Sequence, residues 1–123
     1  MLFYIGIILI MNVTIYHNPR CSKSRQTLEI IQNKGIEPKI VPYLNEPLNV
    51  EELTILLKKL DISPRDLMRA NESKEAGLDD ESMHDDDLII GIASNPAVIE
   101  RPIVITNKGA RICRPPELVE DIL

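Results

Sequence analysis

Apolar and polar residues recur with the periods of strands and helices after residue 10. Residues 13–16 alternate as a half-buried strand does. We predict a helix over residues 22–34 that ends at Gly35, because glycine readily adopts the left-handed backbone that closes a helix. Residues 39–43 form a second predicted strand. The domain therefore begins with a strand–helix–strand unit.

Helix-start signals recur between residues 49 and 98. Asn49 is followed by Glu52 at the spacing of a capping box, and an apolar stripe of leucines comes next. Ser63 before Pro64 is a second start, since proline suits the first position of a helix. Further start signals are Ser82 with Asp85, ahead of Leu88, Ile89 and Ile92, and Asn95-Pro96. This part of the chain is predicted to be a block of helices.

The last part of the chain has a different pattern. Residues 103–105 and 111–113 are predicted strands joined by a tight turn at 107–109, and so short a connection makes them an antiparallel hairpin. Prolines at 115 and 116 open a final predicted helix that runs to residue 123. The order βαβ, helical block, ββα predicts an α/β fold with a mixed sheet. It is the order of a thioredoxin-like domain with a helical insertion.

Length and composition narrow the class of protein. The 123 residues suffice for one domain, and 44% of them are hydrophobic, which is ordinary for a soluble protein. A net charge of −5 argues against nucleic-acid binding. Only 3% of the residues are aromatic and none is tryptophan, so the chain lacks the aromatic side chains on which proteins that bind single-stranded nucleic acids stack the bases. Two cysteines far apart make neither a disulfide framework nor a metal site, so we expect the protein in the reducing cytoplasm.

The first ten residues form an apolar leader. They cannot cross a bilayer, which takes about 20 residues. The segment also has neither the basic start nor the small-residue cleavage site of a signal peptide. An upstream start codon or an added edge strand would explain it, and we favour the start codon. We expect one domain over residues 11–123 and no membrane association.

Cys21 carries the clearest chemical signal. It opens the helix predicted over 22–34, where free backbone N–H groups and a partial positive charge favour a thiolate. Lys23 and Arg25 add positive charge on the same turn, and apolar neighbours are almost absent. The pattern predicts a reactive thiol that attacks electrophiles or binds oxyanions.

The residues after Cys21 exclude two familiar kinds of cysteine site. A phosphatase loop has arginine after five intervening residues, and here that position is Thr27. A dithiol redox motif has its second cysteine at the position of Ser24. An oxidised lone thiol must be rescued by another thiol, and the candidate within the chain is Cys113.

Three neighbours of Cys21 are candidates for supporting roles. His17 is either a general base or a side chain that holds the loop, and we favour the loop role because the helix terminus and the cations already activate the thiol. Ser24 either bonds the thiolate or satisfies the helix start. Arg25 either supports the site or is an ordinary solvated residue, and the sequence leaves both of these choices open.

Cys113 and His84 have simpler explanations than catalysis. Cys113 lies on one face of a late predicted strand, so a core position is favoured over a resolving thiol. His84 precedes three aspartates, residues 85–87, and such a cluster could suggest a metal. Acids in the first turn of a helix complement its dipole, so we prefer that explanation and expect no metal.

Three motifs stand far apart in the chain. They are His17-Asn18-Pro19-x-Cys21-x-x-Ser24-Arg25, Arg101-Pro102-Ile103-Val104 and Arg114-Pro115. Together they closely resemble the glutaredoxin-coupled arsenate reductases, in that family's order and spacing, over residues 11–123. The resemblance implies a thioredoxin-like fold and the reduction of arsenate to arsenite, with glutathione and glutaredoxin as electron donors. Glutathione would be a co-substrate, and no cofactor would be bound.

The resemblance also assigns roles to residues. Cys21 matches the nucleophile of the family. The arginines that hold the oxyanion and the product match Arg69, Arg101 and Arg114. We prefer Arg69 to its neighbour Arg65 because the spacing of the segment fits the family there.

Pro102 follows an arginine and precedes a predicted strand. Taken alone it would be a loop stiffener. The resemblance implies instead a cis-proline packed against the loop that holds Cys21.

The chemistry of arsenate suits these residue types. Arsenate is a dianion near neutral pH, so its binding needs several cations and oriented N–H donors. Arginine suits this better than lysine because its planar fork donates two parallel hydrogen bonds. One alternative is a redox-responsive regulator that binds RNA polymerase, although Ser24 removes the usual C-x-x-C switch. Another is a general glutathione-dependent oxidoreductase without oxyanion specificity.

Overall fold

A four-stranded mixed sheet organises the computed structural model, which describes residues 11–123. The strands are β1 Thr14–Tyr16, β2 Lys39–Val41, β3 Ile103–Thr106 and β4 Gly109–Ile112. They lie in the order β2-β1-β3-β4. The β1–β2 pair is parallel, whereas the β1–β3 and β3–β4 pairs are antiparallel. The predicted mixed sheet and closing hairpin are confirmed.

Five α-helices and two 3₁₀ helices lie within residues 11–123. The α-helices are α1 Ser22–Asn33, α2 Val50–Leu60, α3 Pro64–Leu67, α4 Ala70–Glu75 and α5 Asp85–Ser94, and the 3₁₀ helices are Pro96–Val98 and Pro116–Ile122. Helix α1 connects β1 to β2, which completes the βαβ unit. Helices α2 to α5 come between β2 and β3 and are the predicted helical insertion.

The last element is a 3₁₀ helix, whereas the sequence predicted an α-helix. Its buried residues are Pro116, Val119 and Ile122. They are three positions apart, which is the repeat of a 3₁₀ helix. This winding therefore keeps all three on the side that packs against α1 and β4.

The prediction that Ser82 starts a helix is wrong. Helix α5 starts at Asp85 with His84 at its N-cap. The hydroxyl and the backbone N–H of Ser82 both donate to the Asp80 carboxylate, at 2.7 and 2.9 Å. This places Ser82 in a local turn ahead of the helix. The three aspartates do fill the first turn of α5, as the dipole argument predicted.

Other predicted boundaries hold or move by one or two residues. The capping box of α2 is formed, with Asn49 and Glu52 exchanging backbone-to-side-chain bonds of 2.8 and 3.0 Å. The hairpin loop is only residues 107–108, because Gly109 already pairs with Thr106. Cys113 follows β4 and does not belong to it.

The sheet separates two hydrophobic clusters. Ile103 of β3 belongs to the larger cluster and Val104 to the smaller, because successive strand residues point to opposite faces. The larger cluster includes residues of α2, α3 and α5, and the smaller includes residues of α1 and the last 3₁₀ helix. The fully buried members of the larger cluster include Tyr43, Leu53, Leu56, Leu67, Leu88 and Ile92, and the smaller holds Val13, Ile15, Ile31, Cys113, Val119 and Ile122.

Two predictions concern the chain ends and membranes. The apolar leader, residues 1–10, lies outside the residues that the structure describes, so its explanation stays a prediction. Within residues 11–123, no helix is long and apolar enough to cross a bilayer.

Candidate active site

The strand register brings four separate segments to one end of the sheet. Tyr16 at the end of β1 lies opposite Val41, the end of β2, and opposite Ile103, the start of β3. Ile103 in turn lies opposite Ile112, the end of β4. The segments that continue from these positions carry residues 17–21, Tyr43, Arg101 and Arg114. The topology therefore collects the candidate residues in one place.

Cys21 lies at the N-cap of α1 and is partly exposed. Its backbone N–H is held by the carbonyl of Asn18 at 3.0 Å, and its carbonyl accepts the first helical bond from Arg25 at 3.0 Å. An N-cap side chain faces the free N–H groups of the first turn. In this chain that side chain is a thiol, so the helix terminus acts directly on sulfur.

The surroundings lower the pKa of the Cys21 thiol. Burial by itself raises this pKa, but the donors around the sulfur outweigh it. The groups that lower the pKa are the backbone N–H of Ser24, the guanidinium of Arg101, the backbone N–H of Lys23 and the guanidinium of Arg114. The predicted reactive thiol therefore has a physical basis in the folded chain.

The side-chain cations at the sulfur are Arg101 and Arg114, and not Lys23 and Arg25 as the local sequence suggested. Lys23 acts through its backbone N–H. The Arg25 guanidinium turns to the carbonyl of Pro19, to which it donates at 2.9 Å. Arg25 thus ties the loop to the helix, which favours the supporting role over that of an ordinary solvated residue.

Arg101 and Arg114 converge on Cys21. The Arg114 Nη1 lies 3.9 Å from the Cys21 sulfur and donates to the Arg101 carbonyl at 2.8 Å. The Arg101 guanidinium lies close enough to the sulfur to lower the pKa of the thiol as well. Two guanidinium groups from near the end of the chain therefore flank a thiolate near its beginning.

Arg69 lies at the edge of this group, at the break between α3 and α4. It is the N-cap of α4 and lies outside the short helix that follows Ser63. Its Nε lies 3.5 Å from the Glu72 carboxylate and 3.9 Å from that of Glu100. Its charge lowers the pKa of the buried Tyr43, which places it near the floor of the site.

Arg65 has a different task. Its Nη2 donates to the carbonyls of Asp80 and Met83, each at 3.0 Å. This guanidinium holds the turn that precedes α5. Of the two neighbouring arginines, Arg69 therefore lies near the site, whereas Arg65 binds the turn before α5.

His17 and Ser24 support the loop. The Ser24 hydroxyl accepts the backbone N–H of Asn18 at 3.1 Å and lies 2.6 Å from His17 Nδ1. Burial, with help from the Arg25 charge, lowers the pKa of His17, so the ring is neutral near pH 7. Ser24 reaches the thiol with its backbone N–H, while its hydroxyl serves the loop. Both side chains thus have the geometry of loop supports.

The peptide bond before Pro102 is cis, as the resemblance implied. The bond between Arg114 and Pro115 is also cis, which was not anticipated. The carbonyl of Pro102 accepts the backbone N–H of Cys113 at 2.9 Å. Both arginines that lower the pKa of the Cys21 thiol therefore precede a cis-proline.

Cys113 is a core residue. It is fully buried in the smaller cluster, and burial raises the pKa of its thiol to about 12. The favoured interpretation from the sequence agrees with this placement. His84 caps α5, and residues 11–123 contain no group of three or more histidines, cysteines and acids placed to hold a metal ion.

Sequence reasoning missed Tyr43. It lies two residues after β2, is 0% exposed, and feels the charges of Arg101, Cys21 and Arg69. An aromatic residue after a strand is an ordinary core position, and nothing local in the sequence marks it as part of the site.

The chain resembles known proteins over nearly its whole length. Residues 16–122 match the profile of the ArsC family. An arsenate reductase of Acidiphilium multivorum is 47% identical over 91% of this chain and 81% of that protein. An uncharacterized protein of Escherichia coli K12 is 49% identical over 90% and 96%. The solved arsenate reductase of Vibrio cholerae matches with a TM-score of 0.88 and 46% identity, over 94% of this chain and 100% of that one.

Proposed function

Because the chain belongs to the ArsC family, we propose that it is an arsenate reductase in which Cys21 attacks arsenate and glutathione with glutaredoxin supplies the electrons. The observation that carries this proposal is the pair of guanidinium groups at the Cys21 sulfur, with Arg114 Nη1 at 3.9 Å. A dianion that approaches the thiolate can accept hydrogen bonds from two guanidinium groups and from the backbone N–H groups at the N-terminus of α1. The negative charge of nucleophile and substrate is thereby compensated where they meet.

The reaction balances with two thiols. The Cys21 thiolate bonds to arsenic, and one oxygen leaves as water. A glutathione thiol supplies the second sulfur, so that arsenic takes up two electrons and departs as arsenite. The two sulfurs are left as a mixed disulfide on Cys21, which a thiol of glutaredoxin reduces by exchange.

The second thiol comes from outside the chain. Ser24 occupies the place of a resolving cysteine, and its hydroxyl bonds within the loop. The Cys113 thiol is fully buried, and a pKa of about 12 leaves it almost wholly protonated at neutral pH. Glutathione is then a co-substrate, no bound cofactor takes part, and the reducing cytoplasm is the compartment that provides both donors.

The arginines have separate tasks in this proposal. Arg101 and Arg114 flank the sulfur and hold oxygens of the arsenic adduct. Arg69 binds the oxyanion from the rim, which requires it to release the carboxylates of Glu72 and Glu100. Pro102, His17, Ser24 and Arg25 fix the loops that carry these groups.

One observation favours a second candidate. The uncharacterized Escherichia coli relative is as similar to this chain as the arsenate reductases are. A general glutathione-dependent oxidoreductase would use the same activated thiol without binding an oxyanion.

A coupled assay separates the two candidates. NADPH oxidation is followed with glutathione reductase and glutathione, adding arsenate and glutaredoxin in one arm, and in the other a small glutathione mixed disulfide without glutaredoxin. We expect turnover with arsenate that stops when glutathione or glutaredoxin is omitted. Turnover of the mixed disulfide alone would reject arsenate as the substrate in favour of the second candidate.

A further inference from the structure

Two buried polar atoms in the described part of the chain have no hydrogen-bond partner. They are the Tyr43 hydroxyl and the Arg101 Nε. A buried donor without a partner costs free energy of folding, and folded proteins contain few of them. Both of these lie beside the same reactive thiol, so one explanation can account for the pair.

Tyr43 forms the floor of the site. Its side chain is fully buried in the larger cluster, and it follows β2 at the end of the sheet where Cys21 lies. The charges of Arg101, of the Cys21 thiolate and of Arg69 all act on its hydroxyl. The Arg101 guanidinium lies close enough to lower the pKa of the hydroxyl as a hydrogen-bond donor does, but the Tyr43 hydroxyl and the Arg101 Nε do not reach hydrogen-bond geometry with each other or with any other described residue.

The hydroxyl of Tyr43 is available as a donor. Burial raises the pKa of Tyr43 above its ordinary value, so the group stays a neutral phenol at neutral pH. A phenol with a free O–H and a guanidinium with a free N–H are both suited to an anionic oxygen.

We propose that the Tyr43 hydroxyl and the Arg101 Nε together bind one oxygen of the oxyanion held at Cys21, which makes Tyr43 a further oxyanion-binding residue. This inference rests on the proposed function, since the oxyanion is arsenate or its adduct with the sulfur. In the free protein both atoms are shielded from solvent, so the Arg101 side chain shifts when the oxygen enters. Such contacts commonly close only in the complex with substrate.

The competing explanation is that Tyr43 serves the core alone. The substitution Tyr43→Phe separates the two because it keeps the ring and removes only the hydroxyl. Removing an unsatisfied buried hydroxyl should leave the unfolding midpoint unchanged or raise it. If the hydroxyl binds the oxyanion, the same substitution must weaken arsenate binding.

The chain offers a matched control in Tyr16. It is a half-buried tyrosine of β1 that packs against the same cluster, and its hydroxyl feels the Glu52 carboxylate and not the site. Tyr16→Phe therefore removes an identical hydroxyl from the same cluster, at a position where the neighbouring charge is Glu52 and not Cys21.

The experiment measures three quantities for wild type, Tyr43→Phe and Tyr16→Phe. They are the thermal unfolding midpoint, kcat/KM for arsenate, and the arsenate concentration that half-protects Cys21 from iodoacetamide. For Tyr43→Phe we expect an unfolding midpoint at or above that of wild type. A hydrogen bond to a charged group predicts a loss of about tenfold to a hundredfold in kcat/KM and in protection. Tyr16→Phe should match wild type in kcat/KM and in protection.

The outcomes are distinguishable. If Tyr43→Phe is protected and turns over arsenate as well as wild type, or is less stable than wild type, the inference is overturned while the proposed function stands. If arsenate neither protects nor is reduced by the wild-type protein, the proposed function is overturned and this inference with it.

Discussion

The thiol of Cys21 is partly exposed at a helix N-terminus, whereas the thiol of Cys113 is enclosed by apolar side chains. The two environments therefore shift the thiol pKa in opposite directions: it is lowered for Cys21 and raised to about 12 for Cys113. We expect Cys21→Ser to abolish arsenate reduction in the coupled assay. Cys113→Ala should keep most of the turnover and lose about 1–3 kcal/mol of unfolding free energy, as a cavity in a core does. An inactive Cys113→Ala that is still folded would contradict the single-thiol assignment.

The lowered pKa of Cys21 has a direct pH signature. The thiolate is the reactive form, so alkylation accelerates as pH rises through the pKa of the folded protein. We expect the midpoint for Cys21 to lie below the value of about 8.5 for a free thiol. Replacing Arg114 by Met should move this midpoint upward, because one donor to the sulfur is lost. The rate is measured with iodoacetamide in the Cys113→Ala background, and a wild-type midpoint at or above the free value would refute the activation argument.

At the scale of elements, the break between α3 and α4 decides which arginine serves the site. The Arg65 guanidinium donates to the carbonyls of Asp80 and Met83, whereas Arg69 is the N-cap of α4 beside the site. We expect Arg69→Lys to lower kcat/KM for arsenate by about tenfold, because lysine keeps the charge and loses the fork. Arg65→Lys should leave kcat/KM near the wild-type value and reduce stability instead.

Steady-state kinetics and chemical denaturation of the two lysine variants check this assignment. Their positions are four residues apart and their substitutions are identical, so each is the control for the other. A loss of turnover in Arg65→Lys with none in Arg69→Lys would reverse the assignment made from the spacing of the segment.

At the scale of the whole molecule, the fold leaves Cys21 without an internal partner. Ser24 replaces a second cysteine in the loop, and Cys113 is buried in the core under the sheet. Enzyme quenched during turnover with glutathione should therefore carry a glutathione mass on the peptide that contains Cys21. Mass spectrometry of the digested protein measures it, with Cys21→Ser as the control that should carry none. An intramolecular disulfide between the two cysteines, with turnover supported by thioredoxin alone, would overturn the mechanism.

Much of the fold follows from local signals. The capping box at Asn49 and the helix start at Ser63-Pro64 depend on residues a few positions apart, and both are formed. A predicted helix start is wrong where a nearby group competes for the capping side chain. The hydroxyl of Ser82, for example, donates to the Asp80 carboxylate and does not cap α5. The final helix is a 3₁₀ helix and not an α-helix, in keeping with buried positions that are three residues apart.

The sequence by itself determined that Cys21 begins a helix and that no second cysteine stands beside it. These statements depend on neighbours within one or two turns, where the backbone alone fixes the geometry. The arginines that reach the sulfur were named only through the resemblance to a family, since nothing local connects Cys21 to Arg114, 93 positions away.

Only the tertiary structure decided the direction of Arg25, the place of Arg69 beside Tyr43, and the two unpartnered atoms at the floor of the site. The physical reason is the sheet register, which aligns the ends of four strands that are far apart in the chain. A side chain near such an edge meets partners that its own sequence neighbours do not predict. In the sequence Tyr43 therefore looks like an ordinary core residue, whereas in the fold it lies within reach of the charge of the reactive thiol.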